Sequence, residues 1–522
     1  MVDRWTSKPI SCQGGLILDT DSLLQGTNFP GTARILQNME PDVAGGYRRI
    51  DGYTKYDSTE VPGTSGNPIL GVKVGFGAIG GVFACRKNNS TNDNAIYMSN
   101  GSGWSTKLNS STRPGSVNKA RFTTYSITTP VIVQTDGVNP AWKWNGTTET
   151  IINGTGAPSN PKYAILFGTS LILSGYGTGS LISISVPNSD TNFDGTLGAV
   201  EINVGDIVMG FGIFRETLII FCQRSIKKLS GTSKANFVIQ DVTNRVGCIS
   251  SDTIQEVGGD LIYGSTDGLR SYAGTERLND IELSLVSKSI QPVIKDILQS
   301  SFTEYQYSTC CVRRKSQFRL FVNNPNLPEA DCLGVIGKLQ DTPITPHGQY
   351  EWALMKGIKP YCADSAFYNN NELCVIGAYN SGYVYTLESG NTFDGRSIEA
   401  IYKTPDLTFD DATLRKVFQK LDIFSQIEGQ LKVVTVQLIL DRQIPIIQPL
   451  PQPLPNQQAA AQYGAISAVY DTSKYGVFVY PLIKKNLIGS GFFGAFQFVC
   501  TDDSGPFRID SFQVQFSVKG RR

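Results

Sequence analysis

From about residue 62 to residue 395 the chain repeats one local pattern: an apolar, β-branched run of four to seven residues, a turn carrying Gly or Asn, and a second run. Pro130-Val-Ile-Val-Gln-Thr-Asp-Gly followed by Ala141-Trp-Lys-Trp-Asn-Gly is one instance. Others are Leu171-Ile-Leu-Ser-Gly, Leu261-Ile-Tyr-Gly-Ser-Thr-Asp-Gly-Leu-Arg-Ser-Tyr and Asn380-Ser-Gly-Tyr-Val-Tyr-Thr-Leu. Asp-Gly and Ser-Gly supply the left-handed backbone that two-residue turns demand, so each unit predicts a hairpin. Hairpins recurring at about 40–50 residues per unit match a β-propeller of about seven blades, with six or eight also fitting. Stacked β-sandwiches need similar strands and stand as the alternative.

One helix interrupts this body at 287–300, where Ile290, Val293, Ile294, Ile297 and Leu298 share one face and predict packing on a blade edge. The most apolar stretch, 207–221, is broken by Arg215 and Glu216 and reads as two buried strands. After residue 395 the runs lengthen and alternate, at 398–402, 417–424, 431–440, 476–482, 494–500 and 509–518. In-out alternation of that length predicts a β-sandwich over 396–522. Residues 1–61 are left as an N-terminal extension that closes the propeller or touches a neighbouring subunit. The expected class is all-β: a β-propeller at 62–395 followed by a C-terminal β-sandwich.

Between two of the late strands lies a Pro-rich arm, 442–457, with five prolines in the eleven residues from Pro445 to Pro455. Residues without N–H groups cannot enter a sheet interior, so the arm is expected to be extended. A spacer loop is the plain reading. The apolar Ile444, Ile446, Ile447, Leu450 and Leu454 favour an arm that reaches a neighbouring subunit, with Pro445, Pro449, Pro451, Pro453 and Pro455 holding it extended.

Composition narrows the function classes. Lys and Arg total 46 and Asp and Glu 45, a net charge of +1, which leaves no basic footprint for free nucleic-acid binding as the main task. Charged residues are 17%, against a usual share of about 25%. Gly, Ser, Thr and Asn take their place, which favours short strands and tight turns over exposed helices. The N-terminal residues carry no apolar run of the kind an export signal needs, and no membrane span is expected. Ten cysteines without CxxC spacing predict buried free thiols of a reducing compartment rather than zinc.

Candidate chemistry is sparse. His347 is the one imidazole and sits in a Pro/Gly turn, where a surface residue is the simpler reading than a general base. The acidic pairs Asp19/Asp21, Asp410/Asp411 and Asp502/Asp503 suit a glycosidase in type but read as solvated caps. The glycines of 71–81 lack the Lys-Ser/Thr of a phosphate loop, and the acids of 190–194 match no complete calcium loop. Trp142, Trp144, Tyr383 and Tyr385 are either sugar-stacking strand ends or blade core. No enzyme activity, cofactor or resident metal is expected.

Several blocks carry a resemblance. Gly14-Gly-Leu-Ile-Leu-Asp-Thr-Asp-Ser-Leu-Leu-Gln-Gly-Thr, Ala33-Arg-Ile-Leu-Gln-Asn-Met-Glu-Pro and Gly45-Gly-Tyr-Arg-Arg-Ile-Asp-Gly-Tyr follow one another in order. Asn188-Ser-Asp-Thr-Asn-Phe-Asp, the long run from Glu201 to Gly231, Gly247-Cys-Ile-Ser and Val257-Gly-Gly-Asp-Leu-Ile-Tyr-Gly come next, and Gly491-Phe-Phe-Gly-Ala-Phe-Gln-Phe and Lys519-Gly-Arg-Arg close the chain. Together they resemble the propeller-bearing tail proteins of tailed phages, the nozzle, hub and packaged-DNA stabilisation components. That resemblance implies a homo-oligomeric ring, sixfold in expectation, at the tail of a virion assembled in the host cytoplasm. It implies contacts with adaptor and portal-side proteins and with fibres or spikes, transient non-specific contact with genomic DNA, and no catalytic residues. The arm and Tyr47, Arg48 and Arg49 are the expected contact residues. A tail-tip propeller binding host-surface glycan is the alternative, and a glycan-cleaving enzyme a further one.

Overall fold

In each repeat, successive antiparallel strands run outward from a central axis. The first blade is Ile69–Gly75, Gly81–Asn88, Asp93–Ser99 and Trp104–Leu108. The second is Arg121–Ser126, Pro130–Thr135, Ala141–Trp144 and Glu149–Ile152. The third is Tyr163–Phe167, Ser170–Ser174, Leu181–Ile184 and Val200–Asn203, and the fourth Val208–Phe214, Thr217–Cys222, Ile226–Ser230 and Val238–Thr243. A fifth, Tyr307–Val312, Gln317–Val322, Leu333–Leu339 and Tyr350–Lys356, follows later in the chain. The computed structural model describes residues 4–88, 93–108, 116–278, 285–298, 303–340, 349–427, 434–442, 449–454, 482–501, 503 and 505–519.

The sixth blade takes three strands from the end of the repeat region, Pro360–Tyr368, Asn371–Ala378 and Val384–Leu387, and its fourth, Tyr53–Lys55, from the N-terminal segment. Tyr385 pairs with Lys55, Thr386 with Thr54 and Leu387 with Tyr53. The sixth blade's inner strand lies against that of the first, closing the ring. The expected count of about seven blades is corrected to six. The remaining repeat, Gln255–Val257, Asp260–Ser265 and Gly268–Ser271, stops at three strands. There the chain turns into the helix Tyr272–Leu278, whose Tyr272 ring packs edge-on against Phe214 and Phe221 instead of extending the sheet.

Blade stacking explains why middle strands read as unbroken apolar runs. In Pro130–Thr135, Ile132 packs toward the first blade with Phe83 and Ile96, while Val131 and Val133 pack toward the third with Leu171 and Leu173. The same alternation sends Ile172 onward to Leu218 and Ile220 of the fourth blade. Successive side chains face opposite sides of a strand, so a sheet covered on both faces needs apolar residues at every position. Turns follow the hairpin rule. Arg215 and Glu216 have φ of 46° and 64° between the paired ends Phe214 and Thr217, the left-handed pair of a two-residue turn.

The predicted helix forms as a 3-10 turn, Lys288–Ile290, running into the α-helix Gln291–Ile297. Pro292 sits in its first turn, where an N–H has no helical partner to lose. Ile290, Ile294, Ile297 and Leu298 are buried, and the helix lies against Gly268–Ser271, the last strand of the three-stranded sheet.

Beyond the propeller, Ala400–Lys403, Gly494–Cys500, Val434–Leu440 and Gln452–Pro453 form one run of strands. Arg415–Ile427 pairs along its length with Phe507–Lys519 in another sheet, flanked by Leu482–Asn486. Val434, Val436, Leu438 and Leu440 are buried and the residues between them are not, the strict alternation of a sheet with one covered face. Phe496 and Phe498 of the first run meet Phe512 of the second, with ring centroids 5.7 and 6.3 Å apart. The predicted strand at 476–482 lies outside the described residues except for Leu482.

The N-terminal segment threads through all of this. Arg4–Thr6 and Ile10–Ser11 pair with Phe507–Lys519, as does Tyr47–Arg49. Ile35–Gln37 lies between Ala400–Lys403 and the outer strand of the fifth blade. It joins the C-terminal run to the propeller in a single nine-stranded sheet. Tyr53 then seals the ring: it stacks on Phe393 at 5.2 Å and tilts against Tyr385 at 4.9 Å. Replacing Tyr53 by Ala is expected to cost about 3–5 kcal/mol of folding stability, read by urea denaturation. Tyr53→Phe, which removes only the hydroxyl bonded to Glu329, should cost about 1 kcal/mol.

Candidate functional site

The residues singled out from sequence fall in two places. Tyr47 is fully buried, its hydroxyl accepting from Gly15 N and donating to Gly31 O, and Arg49 is fully buried beside Asn391. Their side chains are consumed within the chain, which corrects the expectation that they contact a second copy. Arg48 is half-buried in an ion network described below. Of the arm, Ile444, Pro445, Ile446, Ile447 and Pro455 lie outside the described residues. Pro449, Leu450 and Pro451 lead into Gln452–Pro453, which pairs at the sheet edge with Thr435 and Val436; an edge is where a residue lacking N–H is tolerated. Leu454 is buried, lining a small apolar pocket with Ile423, Val434, Ile483 and Phe507. Leu454 therefore anchors the arm to its own sheet, a second correction, whereas Leu450 is 81% exposed.

The candidate chemistry disperses likewise. His347 and Asp502 lie outside the described residues. Asp190 accepts from Lys143 and Tyr125, and Asp194 caps a 3-10 turn. Trp142 is fully buried between blades and offers no face to a sugar. All ten cysteines are buried; burial pushes Cys12, Cys222, Cys248, Cys362 and Cys374 up to about 12. Among the described residues no helix is long and apolar enough to cross a membrane.

Two polar clusters were not foreseen. The first joins the N-terminal segment to the fifth and sixth blades. Arg319, 2% exposed, lies 3.0 Å from Glu40 and 2.6 Å from Glu388. Lys315 bridges Glu40, Glu388 and Asp51, and Arg48 pairs with Asp51 at 2.9 Å and Glu40 at 3.6 Å. Glu388 has a left-handed backbone, φ 59°, an arrangement that costs an L-residue about 1–2 kcal/mol. Burial pushes the Glu388 carboxyl up, but attraction to Arg319 and Lys315 outweighs it and holds the group well below the ordinary carboxylate value. Glu40, Asp51 and Glu388 bring their oxygens within 4.8 Å of one another. Lys315 already occupies their midst, so the group acts as an ion network, with three carboxylates against Arg48, Lys315 and Arg319 and, from the exposed side, Arg314 at 3.2 Å from Glu388.

The second cluster lines an axial cavity of about 410 Å³ to which the inner strands of all six blades contribute. Lys73 donates to Asp364, whose other oxygen accepts from Val74 N. Lys119, 3% exposed, donates to the carbonyls of Tyr307 and Tyr361, both at 2.8 Å, and lies 3.6 Å from Asp252. Arg121 Nε and Nη2 reach Ser251 and Asp252. Burial lowers Lys119, with Asp252 opposing it; for Arg121 burial is again the largest single effect, but Asp252, Tyr163 and Glu304 together outweigh it and the net direction is upward. Arg313, at the rim, donates to Ser365. The arrangement presents the cationic donors Lys119 and Arg121, with the hydroxyls of Ser251 and Ser308, to the interior of the cavity.

No family profile matches the chain, and no curated protein matches it. Among solved structures, the extracellular domain of BT4673 from B. thetaiotaomicron, described as a one-component system, aligns at 9% identity and TM-score 0.38. That alignment covers 66% of this chain and 40% of that one. The AfRom2 CNH domain aligns at 12% identity and TM-score 0.37 over 65% of this chain and 100% of its own, and BBS1N, solved in complex with ARL6DN, at 9% and 0.36 over 65% and 97%. At these scores they bear on neither the fold nor the function, and the propeller rests on its own strand pairing.

Glu388→Gln should cost about 3 kcal/mol at pH 7, because it leaves buried cations short of a partner. A carboxyl held lower in the folded than in the unfolded protein contributes stability that is whole above the unfolded value, about 4.3, and is lost as pH falls below it. The variant and the parent should therefore converge in stability as pH drops from 5 toward 3, measured by urea titration across that range. In thiol labelling with Ellman's reagent, the native protein should react at almost none of its cysteines, and all ten should react once it is unfolded.

Proposed function

We propose that this chain is a virion structural protein of a tailed phage, a nozzle or hub subunit that repeats as a ring, sixfold in expectation, around the DNA exit path. In this reading the C-terminal pair of sheets is a β-sandwich, and the copies dock adaptor and portal-side proteins above and fibres or spikes below. The observation that carries the reading is the threading of the N-terminal segment through the propeller and the C-terminal sheets, which makes one stiff building block with fixed surfaces. Exposed apolar residues at one end of the C-terminal sheets support it further. Leu450 is 81% exposed, Ile488 72% and Phe492 41%, and Pro449 approaches the residue after Ile488, with Cγ 3.4 Å from the Cβ position of Gly489. Large apolar side chains grouped outside a core mark contact surfaces. A near-neutral net charge suits a conduit, since a strongly basic lumen would hold the phosphate backbone.

A second reading, a tail-tip propeller that adsorbs to host glycan, is favoured by one observation. A pocket of about 170 Å³ beside the sixth blade is lined by the half-buried rings of Tyr379 and Tyr385 with the Glu329–Arg396 pair, the mix of rings and hydrogen-bonding groups that binds sugars. Glycan-array binding by the isolated chain, without ring formation, would support this second reading.

Mass spectrometry of purified particles joined with electron cryomicroscopy of the tail tests the first reading; the expected result is this chain in a ring below the adaptor. Leu450→Lys combined with Ile488→Lys should change folding stability by no more than about 1 kcal/mol, as exposed positions do, and should lower incorporation into particles at least tenfold. Normal incorporation of the double variant would contradict the assigned contact surface.

A further inference from the structure

The axial cavity carries two observations that the scaffold role leaves unused. First, two polar atoms of its lining are buried without a hydrogen-bond partner: Arg121 Nη1 and Ser308 Oγ. Ser308 is 3% exposed, and Arg121 spends Nε and Nη2 on Ser251 and Asp252 while Nη1 is left over. Buried donors in folded proteins are almost always paired, so each orphan calls for an acceptor.

Second, the charges of the lining do not balance. Lys73, Lys119, Arg121 and Arg313 face Asp252 and Asp364, four positive against two negative, an excess of two. Asp364 is matched by Lys73, and Arg313 leans on Glu372, behind the lining, at 3.9 Å. The imbalance therefore concentrates at Asp252, one carboxylate shared by Lys119 at 3.6 Å and Arg121 at 2.7 Å. The other partners of Lys119 are carbonyl oxygens, which accept its hydrogen bonds, and the ring of Tyr361, 5.4 Å from Nζ; none of them carries a formal negative charge. Water would satisfy the two orphans and leave the charge. An anion answers both, and beside a guanidinium as little exposed as that of Arg121, 11%, its attraction is stronger than in water.

We propose that the axial cavity is a binding site for a small organic anion, whose carboxylate or phosphate oxygens accept from Arg121 Nη1 and Ser308 Oγ and neutralise the positive charge that Asp252 leaves unmatched. The volume, about 410 Å³, lies in the range of small-molecule sites and exceeds what a lone ion fills. Its position on the propeller axis ties the ligand to the inner strands of every blade. The inference is independent of any role in a virion and stands or fails by binding to the isolated chain.

Calorimetric titration of the full chain at about 150 mM NaCl, where the screening length is about 8 Å, tests this with citrate and inorganic phosphate as separate probes and erythritol as the neutral control. The expected result is saturable binding at one site per chain for citrate, for phosphate or for both, and none for erythritol. The probe that binds identifies the head group. Ser308→Ala removes a hydroxyl that bonds nothing in the free protein, so its thermal midpoint should match the parent while its affinity falls at least about fivefold. Arg121→Gln should weaken binding at least about twentyfold, consistent with loss of a charged donor. Should Arg121→Gln not fold, Ser308→Ala decides alone. Absence of saturable binding by either anion up to about 10 mM, the weak end of specific affinity, or affinity unchanged in the folded variants, would overturn the proposal.

Discussion

A ring of sheets is closed only when its last blade is complete, and here the last blade lacks its outer strand until Tyr53–Lys55 supplies it. Without that strand Val384–Leu387 would present an unpaired edge, the feature that invites wrong partners. The closing contact is also among the most distant in sequence: Thr54 Oγ1 donates to Ser389 Oγ across 335 residues. Such closure is favourable only after the blades between have ordered, which makes it a late and cooperative event in folding. The strand itself is short, and its hold comes from the rings of Tyr53, Phe393 and Tyr385 more than from three backbone pairings.

The same N-terminal segment supplies three members of the ion network. Glu40, Arg48 and Asp51 come from it and meet Lys315, Arg319 and Glu388 from the fifth and sixth blades. Buried ion networks are poor sources of net stability but severe about geometry, since each missing partner leaves a desolvated charge behind. This network therefore fixes how the threading segment sits against the closing blades. With the ring shut, the inner strands converge on the axial cavity, where Lys119, Arg121 and Asp252 come together from the second blade and the turn before the three-stranded sheet.

Local pattern made the hairpins, the 290–298 helix and the alternating strand at 434–440 legible, because each depends on residues a few positions apart. It failed where the decisive partner is remote. Tyr-Thr-Lys at 53–55 is too short to announce a blade strand. The Asp267-Gly268 turn correctly marked a hairpin, yet nothing local said that Tyr272 would pack on Phe214 and end the sheet at three strands. Tyr47 and Arg49 looked like surface residues because polar and aromatic groups usually keep one end wet; burial with internal partners reversed that. Leu454 was counted with exposed arm residues although an apolar pocket in its own sheet holds it. The axial cluster had one faint signal, the charges of Lys119 and Arg121 set about Ala120 where an inner strand begins.

The central claim is that closure by Tyr53–Lys55 is as stable as the body it closes. Native-state hydrogen exchange followed by mass spectrometry measures this directly, by comparing amides of 53–55 and 384–387 with those of Ser170–Ser174 in the distant third blade. The account predicts that both sets exchange with the same opening free energy, through global unfolding alone. Exchange of the 53–55 and 384–387 amides by a local opening several kcal/mol below that of the third blade would contradict it.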